Sequence, residues 1–209
     1  MNKYDLIHYI SSLSTAIPLI VGLLNLRRLK SVMKVFLGLI GFTLLTEIVV
    51  EILIHKCGTC LHIPHHIYTP VEYCFYAWIF STWLPGPVLR KLLRISMPIF
   101  ILFAFLYSAF FIDMHSLNVL TGSVASIIYV MLSAYVLLGL FSEREKSVLK
   151  LFRFWVSAPL LIYSAGTIVY FALHELVVAD YLMQIWLIHA ILNIASYCGY
   201  AVGFTCKEV

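Results

Sequence analysis

Seven apolar runs, at roughly 6–26, 35–54, 66–84, 92–112, 117–141, 152–174 and 181–205, occupy most of this 209-residue chain. Each is close to the ~20 residues that, at ~1.5 Å rise per residue, cross a hydrocarbon core ~30 Å thick. A water-soluble domain carries about 25% charged residues, whereas this chain has 11% charged and 62% hydrophobic residues. In lipid every backbone N–H and C=O must be paired within the protein, and for runs of this length that means helices. The sequence therefore predicts an all-α, polytopic integral membrane protein, one seven-helix membrane domain spanning residues 1–209 with the lipid bilayer as its first partner.

The charges set an orientation. Arg27, Arg28, Lys30, Lys34, Arg90, Lys91, Arg94, Arg144, Lys146, Lys150, Arg153 and Lys207 all fall on one side of the seven runs, and only Lys3 and Lys56 fall on the other. That split places the larger group and the C-terminus in the cytoplasm and the N-terminus outside, as in a bacterial inner membrane. The start MNKYDLIHY has no small-residue cleavage site after its apolar run, so it reads as a retained helix and not a signal peptide. Basic loops between spans meet anionic headgroups, and nucleic acid, which needs a clustered soluble basic face, is not an expected partner.

The stretch KSVMKVF from Lys30 returns as KSVLKLF from Lys146, each in a cytoplasmic loop where the apolar run resumes at once. YCFYAWIF from Tyr73 has an echo in YCGYAVGF from Tyr197, eight residues further out of register than the first pair. The expected layout is 3+1+3: one repeat at about 6–84, a linker helix at about 92–112, and a second repeat at about 117–205. An odd linker helix makes the two repeats parallel, related by an axis along the membrane normal, which is one of the transporter layouts.

This order resembles the SWEET and PQ-loop group of small-solute carriers, in which a Pro-containing first helix precedes a basic-Lys-Ser turn. Here Pro18 precedes Arg27, Arg28, Lys30 and Ser31, although Leu19 stands where that group's Pro-Gln pair would have glutamine. The resemblance implies a solute carrier in which Asn193 of the last helix matches the family's solute-binding asparagine; at the corresponding place in the third helix stand Thr69 and Glu72. Retinal proteins share the helix count but need a lysine in the last helix, and none lies between Tyr181 and Cys206.

The polar residues inside the runs lie at common depths. Glu47 is thirteen positions from Lys34, Glu72 thirteen from Pro85, Thr167 fourteen from Arg153 and Asn193 fourteen from Lys207, roughly 20 Å from the cytoplasmic end at 1.5 Å per residue. One turn further out come Glu51, Thr69 and His189, and the four-residue spacings Glu47–Glu51 and His189–Asn193 put each pair on one face of its helix. A carboxylate facing lipid costs at least ~2.5–3.5 kcal/mol, so Glu47, Glu51 and Glu72 are expected to face inward, where protonation lowers that cost and makes them candidates for proton carriage. An amide such as Asn193 can equally serve as glue between helices. The expectation is one solute or proton cavity lined by Glu47, Glu51, Thr69, Glu72, Thr167, His189 and Asn193.

The outer loop HKCGTCLHIPHH offers a second chemistry. Cys57, Cys60, His62 and His65 are spaced as ligands for zinc or copper, against a Cys57–Cys60 disulfide or plain thiols in an oxidising compartment. Seven of the eight histidines, all but His189, lie at or beyond the outer boundary, so an external pH or metal sensor is also physically reasonable. No other cofactor and no enzymatic activity is expected, because the chain has no G-x-S-x-G elbow, no phosphate-binding glycine loop and no late H-x3-H pair. Three function classes remain: a transporter of a small polar solute or ion, a sensor signalling through a separate partner, and a homo-oligomeric pore with rings of glutamate on its axis.

Overall fold

The computed structural model describes residues 3–57, 63–111, 118–142, 147–176 and 179–206, and these are helical almost throughout, with no strand among them. The helices are α1 (Lys3–Ser14), α2 (Ala16–Leu24), α3 (Ser31–Cys57), α4 (Ile63–Trp83), α5 (Pro87–Phe110), α6 (Val119–Ser142), α7 (Phe152–Leu176) and α8 (Ala179–Gly203), with a 3-10 turn at Val148–Lys150. Among the described residues six segments are long and apolar enough to cross a bilayer: Leu6–Leu24, Ser31–Leu53, Pro87–Phe110, Val119–Ser142, Phe152–Leu173 and Gln184–Gly203. Their outward faces are lined by large apolar side chains that water would not tolerate, such as Leu92, Ile99, Leu102 and Phe105 of α5. The protein thus has the make-up of an integral membrane protein.

One expectation changes and another gains local detail. The run 66–84 is a helix, α4, but it is not among the six, because its first half carries Pro64, His65, His66, Thr69, Pro70 and Glu72. Within the first run the hydrogen-bond ladder slips at Thr15, where α1 passes into α2; Thr15 keeps helical dihedrals (φ −60°, ψ −28°), and Leu6–Leu24 remains one span of membrane-crossing length. The cause is local. The Ser14 hydroxyl donates to the Ser11 carbonyl, the acceptor that a continuing α-helix would offer to the Thr15 N–H. The Thr15 N–H bonds the Ser12 carbonyl instead, at 3.3 Å, a tighter i→i−3 turn. Pro18 then has no N–H to give the Ser14 carbonyl.

The chain separates into two compact units. One is Met1–Leu37 with Ser126–Val209, the other Gly38–Ala125. In the first, α1, α2 and α7 all pack on α8. Gly199 and Gly203, one turn apart, let α7 approach: a Cβ on Gly199 would come within 2.6 Å of the Pro159 ring, and one on Gly203 within 3.1 Å of the Trp155 Cβ. One end of this unit is an aromatic knot in which Phe36 meets Phe152 edge-on at 5.7 Å, Tyr200 at 5.0 Å and Phe204 at 5.7 Å. In the second unit α4 packs along α5, with Tyr73 stacked on Phe100 at 4.1 Å and its hydroxyl 2.7 Å from that of Ser96.

The two echoed stretches behave alike in one case and differently in the other. Tyr73, Tyr76, Ala77 and Phe80 are buried, and so are their counterparts Tyr197, Tyr200, Ala201 and Phe204. KSVMKVF enters α3 directly at Ser31, whereas KSVLKLF passes through the 3-10 turn and becomes helical only at Phe152. That turn is pinned by its own neighbours: the Leu149 carbonyl accepts from Trp155 Nε1 at 2.8 Å and from Cys206 Sγ at 3.7 Å.

Candidate functional site

The polar side chains at membrane depth form separate hydrogen-bonded clusters within each unit. In the second unit the centre is Tyr68. Its hydroxyl donates to Glu72 Oε1 at 2.9 Å, one turn along α4, and lies 3.1 Å from Thr43 Oγ1 on α3. Thr43 in turn donates to the Leu39 carbonyl at 3.0 Å, and the Tyr68 ring stacks on Phe42 at 5.9 Å. Two hydroxyl protons cannot serve all three pairs at once: while Glu72 is a carboxylate, which only accepts, the Tyr68 proton goes to it, whereas a protonated Glu72 can donate to Tyr68, freeing the Tyr68 proton for Thr43. Glu47 and Glu51 continue the Thr43 face of α3 one and two turns further on, and both are half-buried.

Thr69, also half-buried, donates to the His65 carbonyl of its own helix at 3.0 Å. Closer to the start of α4 sits a three-helix clasp. His66 Nδ1 lies 3.0 Å from Ser108 Oγ of α5 and 3.2 Å from Asn118 Nδ2, and Asn118 Nδ2 reaches Ser108 Oγ at 3.3 Å. Asn118 Oδ1 accepts from the Thr121 N–H at 3.2 Å, capping α6. That bond fixes the amide: Nδ2, a donor, faces His66, so Nδ1 of His66 is an acceptor.

In the first unit, His189 and Asn193 share a face of α8 yet meet different neighbours. His189 Nε2 is 3.3 Å from the Tyr163 hydroxyl on α7, and its ring is stacked on Tyr170 at 5.0 Å. Asn193 Nδ2 donates to Ser11 Oγ of α1 at 3.1 Å. Two turns before Asn193, Trp186 of α8 lies 5.9 Å from His8 of α1. Thr167 is buried and donates to the Tyr163 carbonyl at 2.9 Å.

The seven residues read from the sequence as one cavity therefore divide by unit, Glu47, Glu51, Thr69 and Glu72 in one, Thr167, His189 and Asn193 in the other. The partners that the sequence reading missed are Tyr68, Thr43, Tyr163, Tyr170 and Ser11. Tyr68 and Tyr163 carried a legible signal, since each stands four residues before a singled-out residue, Glu72 and Thr167. The metal expectation falls largely outside the described residues: Cys60 and His62 are not among them, and His65 is exposed with its ring edge-on to Tyr68 at 6.5 Å. Among the described residues no three His, Cys, Asp or Glu side chains come together as a metal site. Compared with protein-family models, curated proteins and solved structures, the chain matches none.

Proposed function

We propose that this protein is a membrane transporter of a small polar solute or ion, with proton exchange at Glu72. One observation carries the reading: a carboxyl group in a helix bundle of membrane-crossing length is held by a phenol that is itself in contact with a neighbouring helix, Thr43–Tyr68–Glu72. If the task were only to join α3 to α4, an amide would serve as well without the cost of an ionisable group in an apolar bundle. A carboxyl group can release and regain a proton while Tyr68 adjusts from donor to acceptor, which is the chemistry that proton-coupled carriers use.

In this reading α4 is a seventh crossing, its polar half sheltered by protein. The N-terminus is outside, and the basic residues of the α2–α3, α4–α5 and α6–α7 connections lie in the cytoplasm. The layout is two parallel three-helix repeats about a linker, α5. The matching burial of YCFYAWIF and YCGYAVGF supports it, as does the meeting of Phe36 with Phe152, the last residues of KSVMKVF and KSVLKLF. The solute would be handled beside Glu47 and Glu72 of the second unit.

The test is uptake into proteoliposomes of a panel of sugars, amino acids and monovalent ions, with and without an inward proton gradient. Entry of at least one member above protein-free vesicles, faster with the gradient, is expected. No member entering above that background would remove the transport reading.

A further inference from the structure

We infer that the basic end of α5 is a binding site for one anionic glycerophospholipid, its phosphate held by Arg90, Lys91 and Arg94 and its acyl chain lying along the exposed ridge of the same helix. The site needs only that α5 crosses the bilayer, whatever solute the protein carries.

Three cations stand within the first turns of α5. Between Glu72 and Asp113 the chain has no acidic residue to balance them, and none of the three has an ion-pair partner among the described residues. Two of them are nonetheless held in place. Arg90 donates from Nη2 to the Leu84 carbonyl at 3.1 Å, just past the end of α4, and Arg94 donates from Nε to Ser81 Oγ at 3.4 Å. Ser81 is buried and gives its own proton to the Trp78 carbonyl at 2.7 Å, leaving its oxygen as the acceptor for Arg94. Each guanidinium thus spends one of its five N–H donors on α4 and keeps four. A fork already fixed in direction loses little further freedom on meeting a phosphate, which it can grip two-pronged. Lys91, exposed and without a partner among the described residues, is one turn from Arg94.

The same helix supplies an apolar track. Lys91, Ile95, Pro98, Leu102 and Phe105 follow one another at spacings of four and three, which puts them on one face, and all five are exposed. The opposite face, with Leu93, Phe100 and Ala104, is buried, and α5 packs along α4. Of the six segments of membrane-crossing length, α5 is the least buried. Ile95 and Phe105 are ten residues apart, about 15 Å at ~1.5 Å per residue, which is one leaflet of a ~30 Å core. The cations therefore stand at headgroup depth when one acyl chain lies against the ridge.

Charge and length together select the ligand by class. A zwitterionic lipid fits the ridge equally well but brings a cation of its own to Lys91 and Arg94. A free phosphate satisfies the cations and leaves the ridge unused. Each Lys or Arg near an anionic headgroup is worth about a fivefold preference.

Purified protein in nonionic detergent is offered equal amounts of phosphatidylglycerol and phosphatidylcholine with identical chains, and bound lipid is read by native mass spectrometry. One phosphatidylglycerol is expected to be retained at least about tenfold in preference. Equal retention of the two lipids by the wild-type protein would overturn the site without any variant. Lys91→Gln, which changes an exposed side chain, should lower phosphatidylglycerol retention about fivefold, while Lys34→Gln, an exposed lysine of α3, keeps it. Full retention in Lys91→Gln, or the same loss in both variants, would also overturn it. Excess glycerol phosphate, a headgroup without chains, is expected to leave the lipid bound; displacement by it would replace the lipid site with one for free phosphate.

Discussion

Glu72 receives one phenolic hydrogen bond, and that makes two substitutions informative in different ways. Glu72→Gln keeps an oxygen for Tyr68 to donate to, so folding is expected to survive while the exchangeable proton is lost. Tyr68→Phe removes the donor and the contact with Thr43 but keeps the ring stacked on Phe42. Helix-joining bonds in membrane proteins are worth on average about 0.6 kcal/mol, so Tyr68→Phe should lower unfolding free energy by roughly that amount; a loss several times larger would mean that Tyr68 supports more than these contacts. A second residue-scale prediction concerns Cys206, beyond the last membrane-crossing segment. Burial pushes its thiol above the ordinary value, only partly offset by a hydrogen bond from Thr205. A raised thiol is less ionised at neutral pH, so alkylation of Cys206, followed by peptide mass spectrometry, should be slow at pH 7 and accelerate as pH rises. Alkylation at pH 7 as fast as that of an unstructured peptide thiol would contradict this.

The elements show where the letters were informative and where they were not. The length and apolarity of the runs predicted the helices, because in lipid no other backbone satisfies its own hydrogen bonds over such a length. The slip of the hydrogen-bond ladder at Thr15 has no signal in Pro18 alone, because it needs a second event: the Ser14 hydroxyl competing with an amide for the Ser11 carbonyl. Side-chain partners across helices depend on rotation about each helix axis, which periodicity does not fix when a helix is apolar all round; His189 and Asn193 accordingly share a face and face different neighbours. The close packing of α7 on α8 did have a signal, the spacing Gly199-x-x-x-Gly203. Since a Cβ at 199 would press on a rigid proline ring at 2.6 Å, Gly199→Ala should cost about 1–3 kcal/mol as an overpacked contact. Denaturation in mixed micelles would measure it, and an unchanged stability would show that α7 can move away freely.

In the proposed function the chain crosses the membrane seven times and carries a proton on a glutamate. Single cysteines replacing Lys30, Lys91 and Lys150 should be labelled by an impermeant maleimide only after the cytoplasmic side is opened, since all three belong to the basic side; labelling of one of them from outside would break the seven-crossing order. The six helices of membrane-crossing length and apolarity were legible because lipid imposes them. The polar first half of α4 was not, because a run average hides which half carries the histidines and Glu72. The most direct measurement is proton flux into pyranine-loaded proteoliposomes on addition of a transported solute, comparing wild type with Glu72→Gln. Solute-driven acidification by the wild type, abolished in Glu72→Gln protein that melts normally, is the predicted result; equal acidification by both would contradict the role given to this carboxyl group.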